Sequence, residues 1–311
     1  MTDTQAILWP TALFILGTLG IVGGTLIGLR YFVPGGQPRT RARGLLREPA
    51  ASLRRRLEVV DFHLICAGVG LPLTLFLWTA FFPAGFDGAD HFAGTIIYLA
   101  AGAIALGWFG RELIHYWPER IGLRRAIDAQ ARTAVSLNLL MRQKYWVLHD
   151  VHIGGYRINH LVIGPRGVFC VDSLWRRAVG RLSWKGREPA PPAEVRFDGE
   201  TLQFPGWREQ GTHEHPVEQA AWLGPWLAAQ IGEPESEVPT WGAIALPGWQ
   251  VVSTHWKRVM VFNPSTPNML VEGAPEGRRI DATTMQALIK ALKRGCETPS
   301  GVEVRHAERV A

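Results

Sequence analysis

Three short segments between Tyr145 and Trp175 limit the possible folds of this chain most tightly. Tyr145–Val151, Arg157–Ile163 and Val168–Ser173 are filled with aromatic and β-branched residues and separated by Gly and Pro, the pattern of successive strands. Gly164-Pro165-Arg166-Gly167 supplies a tight turn: Pro fixes one φ, and Gly is free to take a positive one. Alternate side chains of a strand share a face, so Asp172 pairs in direction with Leu174, and Arg157 with Asn159. Two adjacent strands can thereby aim a small polar cluster at one place.

The front of the chain has a different character. Residues 7–29 form an apolar run long enough for a hydrocarbon core of about 30 Å. The residues before it carry Asp3 and no basic side chain, unlike a signal peptide. Residues 62–82 and 92–109 are further candidate spans, with Trp9, Tyr31, Trp78, Phe81, Phe82, Trp108 and Trp117 near the ends as an aromatic belt. Pro72 falls inside the second. Arginines crowd residues 30–61, whereas Pro83–His91 holds Asp87 and Asp90 and no base. The positive-inside tendency then puts the N-terminus outside and everything after Gly110 in the cytoplasm. Gly20, Gly24 and Gly28 lie on one face of the first span, where close helix contact and ordinary glycine usage are both open readings. The net charge is +6, and the arginine bias is ordinary in GC-rich bacteria. Cys66, Cys170 and Cys296 are far apart and form no CxxC, which speaks against a disulfide framework and for a reducing compartment.

Behind the expected anchor (residues 1–118), residues 119–296 read as one domain and 297–311 as a flexible tail. Leu123–Met141 has helical spacing through Ala126, Ala129, Thr133, Leu137 and Leu140, with Gln130 one step off that stripe. After the three strands, Gly180–Trp184 and Val195–Phe204 read as an accessory β element, with Asp198-Gly199 as a hairpin turn. Pro216–Ile231 reads as an amphipathic helix, Val238–Leu246 and Arg258–Phe262 as strands, and Ala282–Leu292 as a last helix. Pro247–Trp256 carries no pattern that assigns it. His213-x-His215 reads as a solvated loop, His149, Asp150 and His152 as a solvated turn, His160 as structural, and Cys170 as a small buried hydrophobe.

The segment Ile158-Asn159-His160-Leu161-Val162-Ile163-Gly164-Pro165, followed by Gly167-Val168-Phe169 and Val171-Asp172-Ser173, resembles the nuclease-related domain (NERD) family of the restriction-endonuclease-like superfamily. The likeness spans about Arg124 to Leu292. It implies an α/β domain with a central mixed β-sheet flanked by helices, behind the α-helical membrane anchor of about three transmembrane helices read from the apolar runs. It also implies where a catalytic site would lie. The family's first strand acid falls on Asn159, its second on Asp172, its lysine on Leu174, its helix glutamate on Gln130 (with Asp128 as a rival), and a later helix glutamine on Gln219.

One carboxylate therefore stands where the family has three. Metal-dependent phosphodiester cleavage needs hard oxygen ligands for Mg²⁺ or Mn²⁺, and Asp172 by itself would hold such an ion weakly. Three readings stay open. The domain is a degenerate nuclease that contacts nucleic acid, DNA before RNA, through Arg157, Arg166, Arg176, Arg177, Arg181 and Lys185. Or it is an active nuclease with a relocated cation, Lys185 or Arg176. Or it binds no nucleic acid and serves as an interaction module for membrane protein partners. In each case the expected setting is the bacterial inner membrane, with the lipid bilayer as one partner.

Overall fold

The computed structural model describes residues 48–81, 92–176, 193–232, 238–254, 259–275 and 279–297. Residues 7–29, the strand expected at Gly180–Trp184, Arg177, Arg181 and Lys185 lie outside the described residues. The chain divides into two compact units, Met1–Arg39 with Arg54–Arg124, and Thr40–Leu53 with Arg125–Ala311.

The described residues of the first unit are helical. Helix α1, Ala51–Phe81, absorbs Pro72, and helix α2, Phe92–Leu137, absorbs Pro118. Within α1, the most apolar 18-residue window of Ala51–Thr79 has a mean hydropathy of 1.8 and is 22% buried. It is the one helix among the described residues long and apolar enough to cross a membrane, by length and composition. The expectation of about three spans is corrected to this one candidate: residues 7–29 are not described, and Phe92–Phe109 begins a helix that runs far beyond it. Arg120 and Asp61 form an ion pair between the two helices, as do Arg56 and Glu119.

The second unit is built on a mixed sheet in the order β1-β2-β3-β7-β9. The strands are β1 Trp146–Ile153, β2 Tyr156–Gly164, β3 Gly167–Ser173, β7 Thr240–Ala245 and β9 Val259–Phe262. The first three form an antiparallel meander, and β7 and β9 continue it in parallel. The mixed sheet flanked by helices agrees with the α/β expectation. Every residue of β3 is buried. Val168 and Cys170 face helices α3, Glu214–Gln230, and α5, Ala282–Glu297. Phe169 and Val171 face the opposite side, where Leu137 and Leu140 arrive from the end of α2 and the 3₁₀ turn Asn138–Gln143. The short helix α4, Asn268–Glu272, adds Leu270 and Val271 there.

A second sheet, in the order β6-β5-β4-β8, joins β4 Ala193–Phe197, β5 Thr201–Phe204, β6 Trp207–Gln210 and β8 Trp249–Thr254. The Asp198 carboxylate closes the β4–β5 turn by accepting from the Thr201 amide at 2.8 Å. Strand β8 comes from the unassigned Pro247–Trp256 stretch and pairs in parallel with β4, more than fifty residues earlier. Between this sheet and the β7/β9 edge lies a third core of Val195, Phe197, Leu202, Trp249 and Val261, among others.

The β1–β2 hairpin reaches out to Ile153 and Tyr156, so His149 and Asp150 are buried, not in a solvated turn. On the α2 face, His149 Nε2 lies 3.2 Å from Asn138 Oδ1, the two Nδ1 atoms of His149 and His160 are 2.8 Å apart, and His160 Nε2 is 2.9 Å from Ser173 Oγ. With Asn138 Oδ1 accepting, His149 donates through Nε2 and accepts at Nδ1 from His160, which accepts at Nε2 from the Ser173 hydroxyl. Both rings are neutral. Burial pushes His149 down to about 4 and His160 to about 3, against 6.5 for an ordinary histidine.

The unfolded chain therefore takes up these protons first as pH drops. Stability from this pair is complete above about pH 6.5 and declines below it, by up to ~1.4 kcal/mol per pH unit for each ring, until the native rings titrate. Denaturant midpoints of the full chain at pH 7.5, 6 and 5 should fall in that order. His160→Gln should flatten the decline; an unchanged slope would show that the two rings do not carry it.

Candidate functional site

The backbone course of β3 separates Asp172 from Ser173. Ser173 turns to the histidine chain on the α2 face, and Asp172 turns to α3. Asp172 is 6% exposed and its Oδ2 lies 2.6 Å from Nδ1 of His215, in the first turn of α3. The hydrogen bond to the carboxylate and its charge hold the His215 pKa above the ordinary value, against a smaller opposing effect of burial. The side chain of His215 is still 54% exposed. The arrangement is a buried carboxylate covered by a half-open imidazole, which donates to Asp172 through Nδ1 and can accept from Gln219 at Nε2.

One turn later on the same helix face, Gln219 is fully buried. Its Nε2 donates to the Arg157 carbonyl at 2.7 Å and lies 3.2 Å from His215 Nε2. The bond to that carbonyl fixes which end of the amide is nitrogen. Gln219 Oε1 and Asp172 Oδ1 are therefore two buried acceptors without a donor among the described residues. The start of α3 seats on β7 at Gly242, where an added Cβ would come within 2.8 Å of the Pro216 carbonyl oxygen and 3.0 Å of the Val217 nitrogen. Glycine at that position lets the turn carrying His215 approach the sheet.

Asn159 lies half-buried on β2, next to Ile158 and His160. Gln130 is 3% exposed on α2, and its Oε1 also has no donor among the described residues. Its helix ends on the sheet face opposite Asp172, and no described hydrogen bond joins Gln130 to the Asp172 group. Leu174 leaves the end of β3, donates its amide to the Ala245 carbonyl at 3.0 Å, and packs against the third core. The position where a lysine would serve catalysis here serves apolar packing.

The three described arginines around the motif, Arg157, Arg166 and Arg176, are engaged within the molecule. Arg157 Nε donates to Asp150 Oδ1 at 3.0 Å. Asp150 is 1% exposed, with φ at +49°, and also accepts from the Ser52 amide at 2.8 Å and hydroxyl at 2.6 Å. These partners hold its carboxyl well below the usual carboxylate range despite burial. Arg166 sits at the far end of β3, about 20 Å from Asp172 at the rise of a strand. It donates to the carbonyls of Val271 at 3.1 Å and Glu272 at 3.0 Å, closing the end of α4. Arg176 forks onto Glu209 of β6, with Nε to Oε2 at 2.7 Å.

A hard divalent ion needs several oxygen ligands, and anionic ones above all. Asp172 is the one carboxylate among the site's named residues, and one of its oxygens already accepts from the His215 ring. No group of three or more His, Cys, Asp or Glu among the described residues could hold a metal. The donor set does not fit Mg²⁺ or Mn²⁺. His215 was legible through one signal: it precedes Gln219 by four residues, so a helix begun two residues earlier places both on one face. In Asp172→Asn the His215 pKa should fall toward 6.5, followed by two-dimensional NMR of the imidazoles against pH. A titration like that of the native protein would dissolve the pair.

No curated protein and no solved structure matches the chain. The family model described as nuclease-related domain, NERD, matches residues 125–247, a stretch that takes in β1 to β7, the start of the second sheet and α3. The chain carries a nuclease-related domain over those residues.

Proposed function

We propose that this protein is a membrane-anchored nuclease-related protein whose domain contacts nucleic acid at the cytoplasmic face of a bacterial inner membrane without cleaving it. The observation that carries the reading is the Asp172–His215 pair at 2.6 Å. A metal would have to displace the His215 ring from the site's lone carboxylate and then find its remaining ligands among amides. The nuclease-related domain supports nucleic acid as the partner class, and the apolar, mostly unburied α1 supports the anchor. Arg157, Arg166 and Arg176 have intramolecular partners, so phosphate contact falls to other basic groups, Arg177, Arg181 and Lys185 among them. A nuclease with a relocated cation is the second reading. What favours it is His215 itself, an imidazole beside Asp172 whose pKa the carboxylate raises.

The full chain in detergent micelles, incubated with single- and double-stranded DNA and RNA, should produce no cleavage with Mg²⁺, Mn²⁺ or chelator. It should bind with an affinity that falls steeply between about 50 and 200 mM salt. Metal-dependent cleavage that vanishes in both Asp172→Ala and His215→Ala would establish the second reading. Absence of binding to any of these would move the search to protein partners.

A further inference from the structure

The Asp172 group is short of hydrogen-bond donors. Asp172 Oδ1 and Gln219 Oε1 are both buried and unpartnered, on side chains 6% and 0% exposed. A buried acceptor without a donor forfeits a hydrogen bond that water or a ligand would otherwise supply. The two side chains touch the same imidazole: Asp172 at Nδ1, 2.6 Å away, and Gln219 with its nitrogen 3.2 Å from Nε2. Turning the Gln219 amide over does not relieve the shortage, because its nitrogen is committed to the Arg157 carbonyl. His215 is the half-open side of the site. A ligand that displaced the ring would meet the Asp172 carboxylate, with Gln219 the other residue in contact with that ring.

A cluster of acceptors selects a ligand by its donors. Among the common bases, guanine alone presents adjacent N–H donors, N1–H and the N2 amino group, on its Watson–Crick edge. Adenine and cytosine set an acceptor beside their amino group, and thymine and uracil flank their one N–H with two carbonyls. Edge reading of this kind applies to unpaired bases splayed from a strand, with aromatic side chains alongside for stacking. Tyr156 and Trp222 lie next to the site, on β2 beside Arg157 and on α3 one turn beyond Gln219, with ring centroids 4.9 Å apart.

We propose that Asp172 and Gln219 form a recognition site for the donor edge of an unpaired guanine, with His215 as the side chain that covers it until the base enters. The proposal rests on the nucleic-acid reading above and gives it a base specificity.

The test uses the full chain in detergent micelles with fluorescein-labelled oligo(dT) carrying three central positions of guanine, hypoxanthine, adenine or thymine. Hypoxanthine keeps N1–H and lacks the 2-amino group. Anisotropy titrations should give an affinity for the guanine strand roughly tenfold above the thymine and adenine strands, the size of one charge-assisted hydrogen bond, with hypoxanthine between. In Asp172→Asn the guanine and thymine strands should bind with the same affinity as each other. His215→Ala should keep the guanine preference, because the ring covers the site and does not read the base. Duplex of the same sequence should show no preference.

Equal binding of all four strands would overturn the guanine site and leave nucleic-acid contact standing. A preference that survives Asp172→Asn would overturn the assignment to these residues. Binding of none of the strands would remove both readings. Stronger competition by an arginine-rich peptide than by guanosine monophosphate would overturn the proposal in favour of a protein partner, since guanidinium also offers paired donors.

Discussion

Strand β3 is buried on both faces along its whole length, and the domain is arranged around the consequences. A doubly buried strand has no water to satisfy a polar side chain, so each polar residue on it must meet a partner delivered by another element. The strand has two, Asp172 and Ser173, adjacent and therefore on opposite faces. Ser173 is met by a chain of two histidines ending at Asn138 beside the end of α2. Asp172 is met by His215 at the start of α3. Both flanking helices are thus tied to the central strand by polar contacts as well as by apolar packing.

The two contacts differ in electrical character, and that difference separates structure from site. The histidine chain is neutral, and its members can all be satisfied by one another. The Asp172 pair is charged, partly open, and leaves acceptors over. Burial drives the two interior histidines toward neutrality, while a carboxylate neighbour drives His215 toward the charged form. The same residue type therefore marks a sealed interior on one face and a reactive opening on the other.

The meander, the accessory hairpin turn at Asp198-Gly199, the helix after Pro216 and the last helix were legible because each rests on local periodicity or turn chemistry. Strand β8 was not, because its partner β4 lies far off in sequence and the stretch lacks an alternating pattern of its own. Asp172 and Gln219 were expected as site residues through resemblance, and the structure brings both to one imidazole. The arginines around the motif look alike in sequence. Arg157 is drawn into a pair with buried Asp150, Arg166 caps a helix end about a strand's length away, and Arg176 reaches the edge of a second sheet. Proximity along the chain does not say which charge is already spent.

The sequence by itself determined the meander, the helix after it, the last helix and the nuclease-related signature. Those are properties of residue type and short spacing. Tertiary structure alone decided what meets the residues of β3 and its end: an imidazole on the Asp172 carboxylate, and a neighbouring core for Leu174. The physical reason is that a buried charge requires a partner within hydrogen-bond reach, and that reach crosses forty-three residues of chain between Asp172 and His215. No local pattern encodes such a distance.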